Sequence, residues 1–396
     1  MSKLQELINK LCPNGVEFKP LGDISNLSRG KVYGKDYISE HRGEYPVFSS
    51  QTVNDGELGK IDTYDYDGFY LTWTTDGAYA GTIFYRQGKF SITNVCGLIS
   101  LKVNFINLKF LYYWLSIEAP KHVYYGMGNP KLMSNQMTSI MIPVPPIEVQ
   151  EEIVRILDSF SDYAAELQAE LQARKQQYEY YRNLLLTFNP SAYGCGTDDE
   201  QKDGVTTWEG HNYKIQWKKL GEICDNMDKL RKPVTASTRI SGIYPYYGAS
   251  GVVDYVNNYI FDGSYLLISE DGANLLARST PIAFSIYGKT WVNNHAHVLH
   301  FNSDVTRKFV EYFINNLDIS KYVSGGAQPK LNQKKLNSIP IPIPPLELQE
   351  KIVAILDRFE TLVNDLTNGL PAEIAAVKDQ YEYYRNKLLT FKKLSV

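Results

Sequence analysis

The strongest constraint on this chain is a short apolar run with three prolines that is written twice. Ile142-Pro143-Val144-Pro145-Pro146-Ile147-Glu148-Val149-Gln150 leads to Ile156-Leu157-Asp158-Ser159-Phe160. It returns 199 residues later as Ile341-Pro342-Ile343-Pro344-Pro345-Leu346-Glu347-Leu348-Gln349, leading to Ile355-Leu356-Asp357-Arg358-Phe359. A second block follows each copy: Gln177-Tyr178-Glu179-Tyr180-Tyr181-Arg182-Asn183, then Gln380-Tyr381-Glu382-Tyr383-Tyr384-Arg385-Asn386. A repeat of this period speaks of architecture before function. Each proline removes a donor and extends its predecessor, so the run is a stiff lead-in and not a helix. The helix it feeds begins near Glu148.

From Phe160 an apolar stripe runs through Ala164, Leu167, Leu171, Tyr178, Tyr181 and Leu185. Steps of three and four mark a coiled-coil seam. About 40 helical residues span ~60 Å, and such a helix cannot bury its own stripe. The second copy offers the partner: Leu356, Phe359, Val363, Leu366, Val377, Tyr381, Tyr384 and Leu388. The two are expected to pack antiparallel. The second is expected to break near Asn368-Gly369-Leu370-Pro371, where Gly stops one helix and Pro opens the next.

The long segments before each run repeat more loosely. Tyr45-Pro46 answers Tyr244-Pro245, Asp76-Gly77 answers Asp271-Gly272, and Pro130-Lys131-Leu132 answers Pro329-Lys330-Leu331. Short apolar runs cut by Gly, Asn and Asp read as strands and turns. A helix comes late in each, around Leu108 to Ser116 and Thr306 to Asn315. The fold class expected is α+β: two mixed α/β domains, separated by two long antiparallel helices forming a coiled-coil-like spacer, with a pseudo-twofold internal repeat. The boundaries read as 1–140 and 191–339 for the domains, and 141–190 and 340–396 for the repeated regions. Residues 189–213, rich in Gly, Asp, Thr and Ser, read as a linker.

Composition excludes several classes. Net charge is -3, which is not the strong basic excess of a simple nucleic-acid binder. The acidic excess sits in 143–190, with 4 basic against 8 acidic groups, so the two long segments are near neutral. Cys12, Cys96, Cys195 and Cys224 show no CxxC spacing, so neither a zinc site nor a disulfide framework is indicated. There is no signal-peptide layout and no apolar run near the ~20 residues of a membrane helix. A cytoplasmic protein with reduced thiols is expected.

The catalytic motifs fail. Gly30-Lys31-Val32-Tyr33-Gly34-Lys35-Asp36 has three residues between its glycines and Asp after the lysine, where a P-loop has four and Ser or Thr. Asn189-Pro190-Ser191-Ala192 lacks the second proline and the aromatic of an amino-methyltransferase motif. No Pro-Asp dipeptide exists to start a nuclease signature. His295, His297 and His300 alternate as metal ligands could, but a regular strand points His300 away from the other two. A strand with polar edges is the better reading. Lys131 and Lys330 stand after Pro in Gly-rich loops of both copies, where backbone can approach a ligand closely and a lysine can meet a phosphate. Tyr178, Tyr180 and Tyr181 with Tyr381, Tyr383 and Tyr384 either dock other subunits or cover the rod's own domains.

The doubled Ile-Pro-x-Pro-Pro-x-x-x-Gln, the Ile-Leu-Asp-x-Phe and the Gln-Tyr-Glu-Tyr-Tyr-Arg-Asn block resemble the repeated regions of the DNA-specificity subunit of type I restriction-modification systems. The resemblance covers the whole chain. It implies two target-recognition domains, each reading one half of a bipartite site in double-stranded DNA, with the helices setting the gap. It implies no catalysis and no cofactor in this chain. Two methyltransferase subunits would bring S-adenosylmethionine, and two restriction subunits ATP and Mg. From loop position and residue type, the DNA-binding candidates of the first domain are Arg29, Lys31, Ser50, Gln51, Thr74, Thr75, Asp76 and Lys131. Those of the second are Lys229, Arg231, Lys232, Ser250, Glu270, Asp271, Asn274, Gln328 and Lys330. Arg or Lys suits guanine, and Asn or Gln adenine. Gln150, Phe160, Tyr178, Tyr181, Gln349, Phe359, Tyr381 and Tyr384 are the candidates for the spacer and for subunit docking.

Overall fold

The structure, a computed structural model, describes residues 3–126, 128–188, 204–208, 210–326 and 328–394. Its longer helices are α1 (Lys3–Leu11), α2 (Leu108–Glu118), α3 (Ile147–Leu186), α4 (Asp304–Asn316), α5 (Leu346–Asn364) and α6 (Leu370–Leu388). The chain folds as two compact units: residues 1–168 with 373–396, and residues 169–372. Each unit therefore takes a helical segment from the far half of the sequence.

In the first unit the strands are β1 (Glu17–Pro20), β2 (Ser25–Arg29), β3 (Arg42–Phe48), β4 (Glu57–Ile61), β5 (Tyr66–Thr74), β6 (Ile83–Ile92), β7 (Cys96–Leu101) and β8 (Met141–Val144). Six of them form one sheet in the order β2-β7-β5-β6-β3-β4, antiparallel except for β3 beside β6. In the second unit they are β9 (Gly204–Trp208), β10 (His211–Lys219), β11 (Asp225–Asn226), β12 (Ser241–Gly248), β13 (Gly251–Val256), β14 (Phe261–Ser269), β15 (Ala283–Val292), β16 (Ala296–His300) and β17 (Pro340–Ile343). The sheet order is β11-β16-β14-β15-β12-β13, with β12 parallel to β15. The two sheets have one topology, down to the single parallel pair.

The proline lead-in is a strand in both units. β8 pairs antiparallel with β1, and β17 with β10. Edge pairing suits proline, which lacks only the donor that an edge leaves unused. The helix then starts at Ile147 and at Leu346. The glutamine of the motif fixes this turn. Gln150 is fully buried; its Nε2 donates to the Pro145 carbonyl at 2.7 Å, and its Oε1 accepts the Asn107 N–H at 2.8 Å. Gln349 repeats the first bond, to Pro344, at 2.7 Å.

The aspartate of Ile-Leu-Asp-x-Phe has an equally local task. Tyr113 on α2 donates its hydroxyl to Asp158 at 2.6 Å, and Tyr312 on α4 donates to Asp357 at 2.6 Å. Each ties the sheet-covering helix to the long helix. Burial and the neighbouring carboxylate push the Tyr113 hydroxyl far above its ordinary range.

In the first unit Phe160 stacks on Tyr384 at 5.5 Å, and Tyr163 donates to Glu373 at 2.6 Å. Rising numbers on α3 meet falling numbers on α6, so the pairing there is antiparallel. In the second unit Tyr178 and Tyr181 stack on Phe359 at 6.2 and 5.6 Å. The expected break is present: α5 ends at Asn364 and α6 starts at Leu370. The Gly369 N–H closes the turn on the Asp365 carbonyl at 3.1 Å. A Cβ at Gly369 would lie 2.4 Å from the Thr361 carbonyl oxygen. Of the stretch 189–213 expected as a linker, 189–203 and 209 lie outside the described residues. The rest is not linker, because β9 and the start of β10 form an antiparallel hairpin there.

The sheet, α2 and the start of α3 enclose Leu71, Trp73, Ile99, Phe110, Ile153 and Leu157 in the first core, together with Leu389 from the chain's end. The second core gathers Leu266, Ile268, Leu299, Phe309, Ile352 and Leu356 with Leu185 and Phe188.

Candidate nucleic-acid interface

Both sheets carry the same loop arrangement at the end of a central strand. After β5, Asp76 bridges antiparallel to Lys131, which also bridges Tyr124. After β14, Asp271 bridges Lys330, which also bridges Ser324. The Gly77 N–H donates to the Pro130 carbonyl and the Gly272 N–H to the Pro329 carbonyl, both at 3.1 Å. These glycines sit at φ +97° and +112°, backbone that favours glycine. The echoes Asp-Gly and Pro-Lys-Leu are thus two halves of one motif, joined in space.

In the first unit the ring of candidates is only partly available. Lys131 is exposed, and Arg29 spans from the Asn94 carbonyl at 3.2 Å to Met133 Sδ at 3.4 Å. Lys31 is exposed but its ammonium is paired with Asp65, which also accepts from Tyr33 at 2.6 Å. Ser50 is half-buried and Gln51 spends its amide on the Glu57 carbonyl. Thr74 and Thr75 are buried; their hydroxyls go to the carbonyls of Tyr79 and Val95. Strand ends cannot be told from loops by polarity alone, since threonine suits both. Tyr124 and Tyr125, 64% and 75% exposed, flank the same loop and are not among the sequence candidates.

The second unit holds a denser charge network. Arg231 donates to Glu270 at 2.6 Å and to the Ala296 carbonyl at 2.7 Å, with Asp228 at 3.4 Å. Lys330 reaches Glu270 at 3.2 Å, and His295 meets Asp271 at 2.9 Å. Against the cost of burial, Arg231, His297 and Lys330 hold Glu270 below the usual carboxylate range. Asp228, His297 and Glu270 place ligand atoms within 4.8 Å of one another, as a metal site would. The cations Arg231 and Lys330 pair with these carboxylates. The three histidines do not converge, since His297 sits on Asp228 while His295 and His300 face Asp271 and Asp225.

Lys229, Lys232, Ser250 and Gln328 are exposed. Asn274 is folded into its own turn, donating to the Thr280 carbonyl at 3.0 Å. A cleft of about 450 Å³ gathers Ser250, Asp271, Asn274, Asn293 and His295. His295 belongs to this cleft, and Asp228 to the charge network of Arg231 and His297. His295 stands in the histidine pattern of the sequence; nothing in the sequence marks Asp228.

Two sheets of one topology, each carrying a Gly-shaped loop with a lysine and unlike side chains around it, define an internally repeated recognition protein. The model of the type I restriction modification DNA specificity domain matches the chain twice, over residues 13–174 and 213–376. A Mycoplasma pneumoniae protein named as a type I specificity subunit is 31% identical over 368 residues, 92% of this chain and 95% of its own. A Haemophilus influenzae protein named as a type I restriction enzyme specificity subunit is 39% identical over 186 residues, 46% of this chain and 48% of its own. The crystal structure of a type I restriction-modification S subunit from M. genitalium covers 100% of both chains at TM-score 0.58 and 17% identity, a likeness of fold. The chain belongs to the type I restriction-modification DNA-specificity family, as a specificity subunit with two DNA specificity domains.

Proposed function

We propose that the chain reads a bipartite site in duplex DNA, one half with residues 1–140 and the other with 191–339. The repeated regions 141–190 and 340–396 set the gap. The observation that carries this is the shared Asp76–Lys131 and Asp271–Lys330 loop, whose skeleton is alike while its surroundings differ. A common skeleton suits a common duplex backbone, and unlike side chains suit unlike bases. Lys131 and Lys330 are assigned to phosphate, with Arg29, Lys229 and Lys232. In the cleft of the second unit, Ser250, Asp271 and His295 are assigned to base edges.

The chain has no catalysis or cofactor of its own in this reading. Two methyltransferase subunits supply S-adenosylmethionine, and two restriction subunits supply ATP and Mg, in the cytoplasm. Among the described residues no helix is long and apolar enough to cross a membrane. An apolar cleft of about 660 Å³, lined by Tyr181, Leu185, Phe188, Ile352 and Phe359, supports docking of a partner on the repeated helices.

Mapping methylated sites in a host carrying this chain with its partner subunits, against a host lacking it, tests the reading. A split motif dependent on this chain is expected, and the purified chain with S-adenosylmethionine and DNA gives no product. Methylation without the chain, or a motif of one continuous block, overturns it.

A further inference from the structure

The two units satisfy one buried carbonyl by different means. In the first, Trp73 on β5 is fully buried and its Nε1 donates to the Leu132 carbonyl at 3.0 Å. Leu132 directly follows Lys131, and its N–H donates to the Thr75 carbonyl at 2.9 Å. The cross-strand neighbour of Trp73 is Gly97 on β7. A Cβ there would lie 2.3 Å from the indole ring. The ring can lie across β7 because that position has no side chain.

In the second unit the same cross-strand pair is Ile268 and His297. The aromatic donor has moved to the other strand. His297 is 1% exposed, and its Nε2 donates to the Leu331 carbonyl at 2.7 Å. That nitrogen carries a proton, because a carbonyl can only accept. Leu331 follows Lys330, and its N–H donates to the Glu270 carbonyl at 2.8 Å, as Leu132 does to Thr75. The Nδ1 of His297 faces Asp228 at 2.6 Å, and the Val298 N–H donates to the same carboxylate at 2.9 Å. In the first unit β2 runs on to Arg29, paired with Gly97; in the second β11 stops at Asn226. Asp228 takes over there, through side-chain bonds.

We propose that His297 is the positioning residue of the second reading edge, holding the loop of Lys330 through the Leu331 carbonyl and the segment of Lys229 to Lys232 through Asp228. It does in one residue what the Trp73–Gly97 pair does for the loop of Lys131. The inference rests on the reading of DNA by these loops. His297 itself touches no DNA.

The test uses the full chain with its partner subunits in the methylation-mapping host, with His297→Ala and the double variant Ile268→Trp, His297→Gly. The double variant transplants the arrangement of the first unit. In His297→Ala, methylation at wild-type sites falls roughly tenfold or more, the scale of an orphaned buried carbonyl. The sites still methylated keep the half read by the first unit and relax in the other. The double variant, with a donor restored, stands clearly above His297→Ala and recovers to within about threefold of wild type. Unchanged methylation in His297→Ala, or equal relaxation of both halves, overturns the proposal. Should thermal melting show His297→Ala unfolded, the double variant decides: a folded protein reading both halves supports the proposal, and one reading only the first overturns it. A wild-type host without a split motif would instead overturn the DNA reading itself.

Discussion

Trp73 and Gly97 show how much one missing methyl can matter. Gly97→Ala drives a Cβ to 2.3 Å from a fully buried indole. Overpacking of this kind costs about 1–3 kcal/mol, read as a lowered urea midpoint. Glu152 offers a test in pH. It is buried, with Arg155 at 2.7 Å and Lys3 of α1 at 2.8 Å. The Arg155 guanidinium, against the cost of burial and with help from Lys3, holds its carboxyl at about 2, below the ordinary 4.5 of a glutamate. The stabilisation is therefore complete above pH 4.5 and lost as pH falls through about 2. Glu152→Gln should melt lower than wild type at neutral pH, and the two curves should converge near pH 2; a constant gap would remove the ion pairs from the account. Residue type told less than residue setting. Thr74, Thr75 and Gln51 look like readers in the sequence, yet each spends its side chain on a backbone carbonyl. Polarity is visible in a sequence, whereas the partner that consumes it is not.

Between helices, the hydroxyl–carboxylate ties Tyr113–Asp158 and Tyr312–Asp357 give each repeated motif a physical reason. Tyr113→Phe and Tyr312→Phe each remove a bond to a charged group, at about 1.5–3 kcal/mol. Chemical denaturation should show the loss, and slow-exchanging amides should disappear from the unit that holds the changed tyrosine. Helix starts, the Gly-Pro break and the antiparallel seam were legible because they follow from proline chemistry and from apolar steps of three and four. The pairing of Met141–Val144 with Glu17–Pro20 was not, because no local pattern announces a strand partner over 120 residues away. Gly204–Trp208 reads as linker in the sequence for a related reason: a short polar hairpin and a loop share one composition.

At the level of the molecule, each unit is completed from the far half of the chain. Exchange of residues 1–140 for another such domain should alter one half-site in methylation mapping and leave the other as it was. Leu389 is 2% exposed in the first core, and Val16 bridges Lys393. Leu389→Ala should therefore cost about 2–5 kcal/mol, with faster hydrogen exchange in residues 1–168 and little change in 169–372. The same closure sets an order of events on the ribosome. Domains fold as units while the chain emerges, and the sheet whose strands are made first waits for Leu389 and Phe391, which are synthesised after the whole of the second unit. The unit encoded later is the one that can finish first, so a nascent chain halted before Leu389 would carry a closed second sheet and a first one still missing a wall.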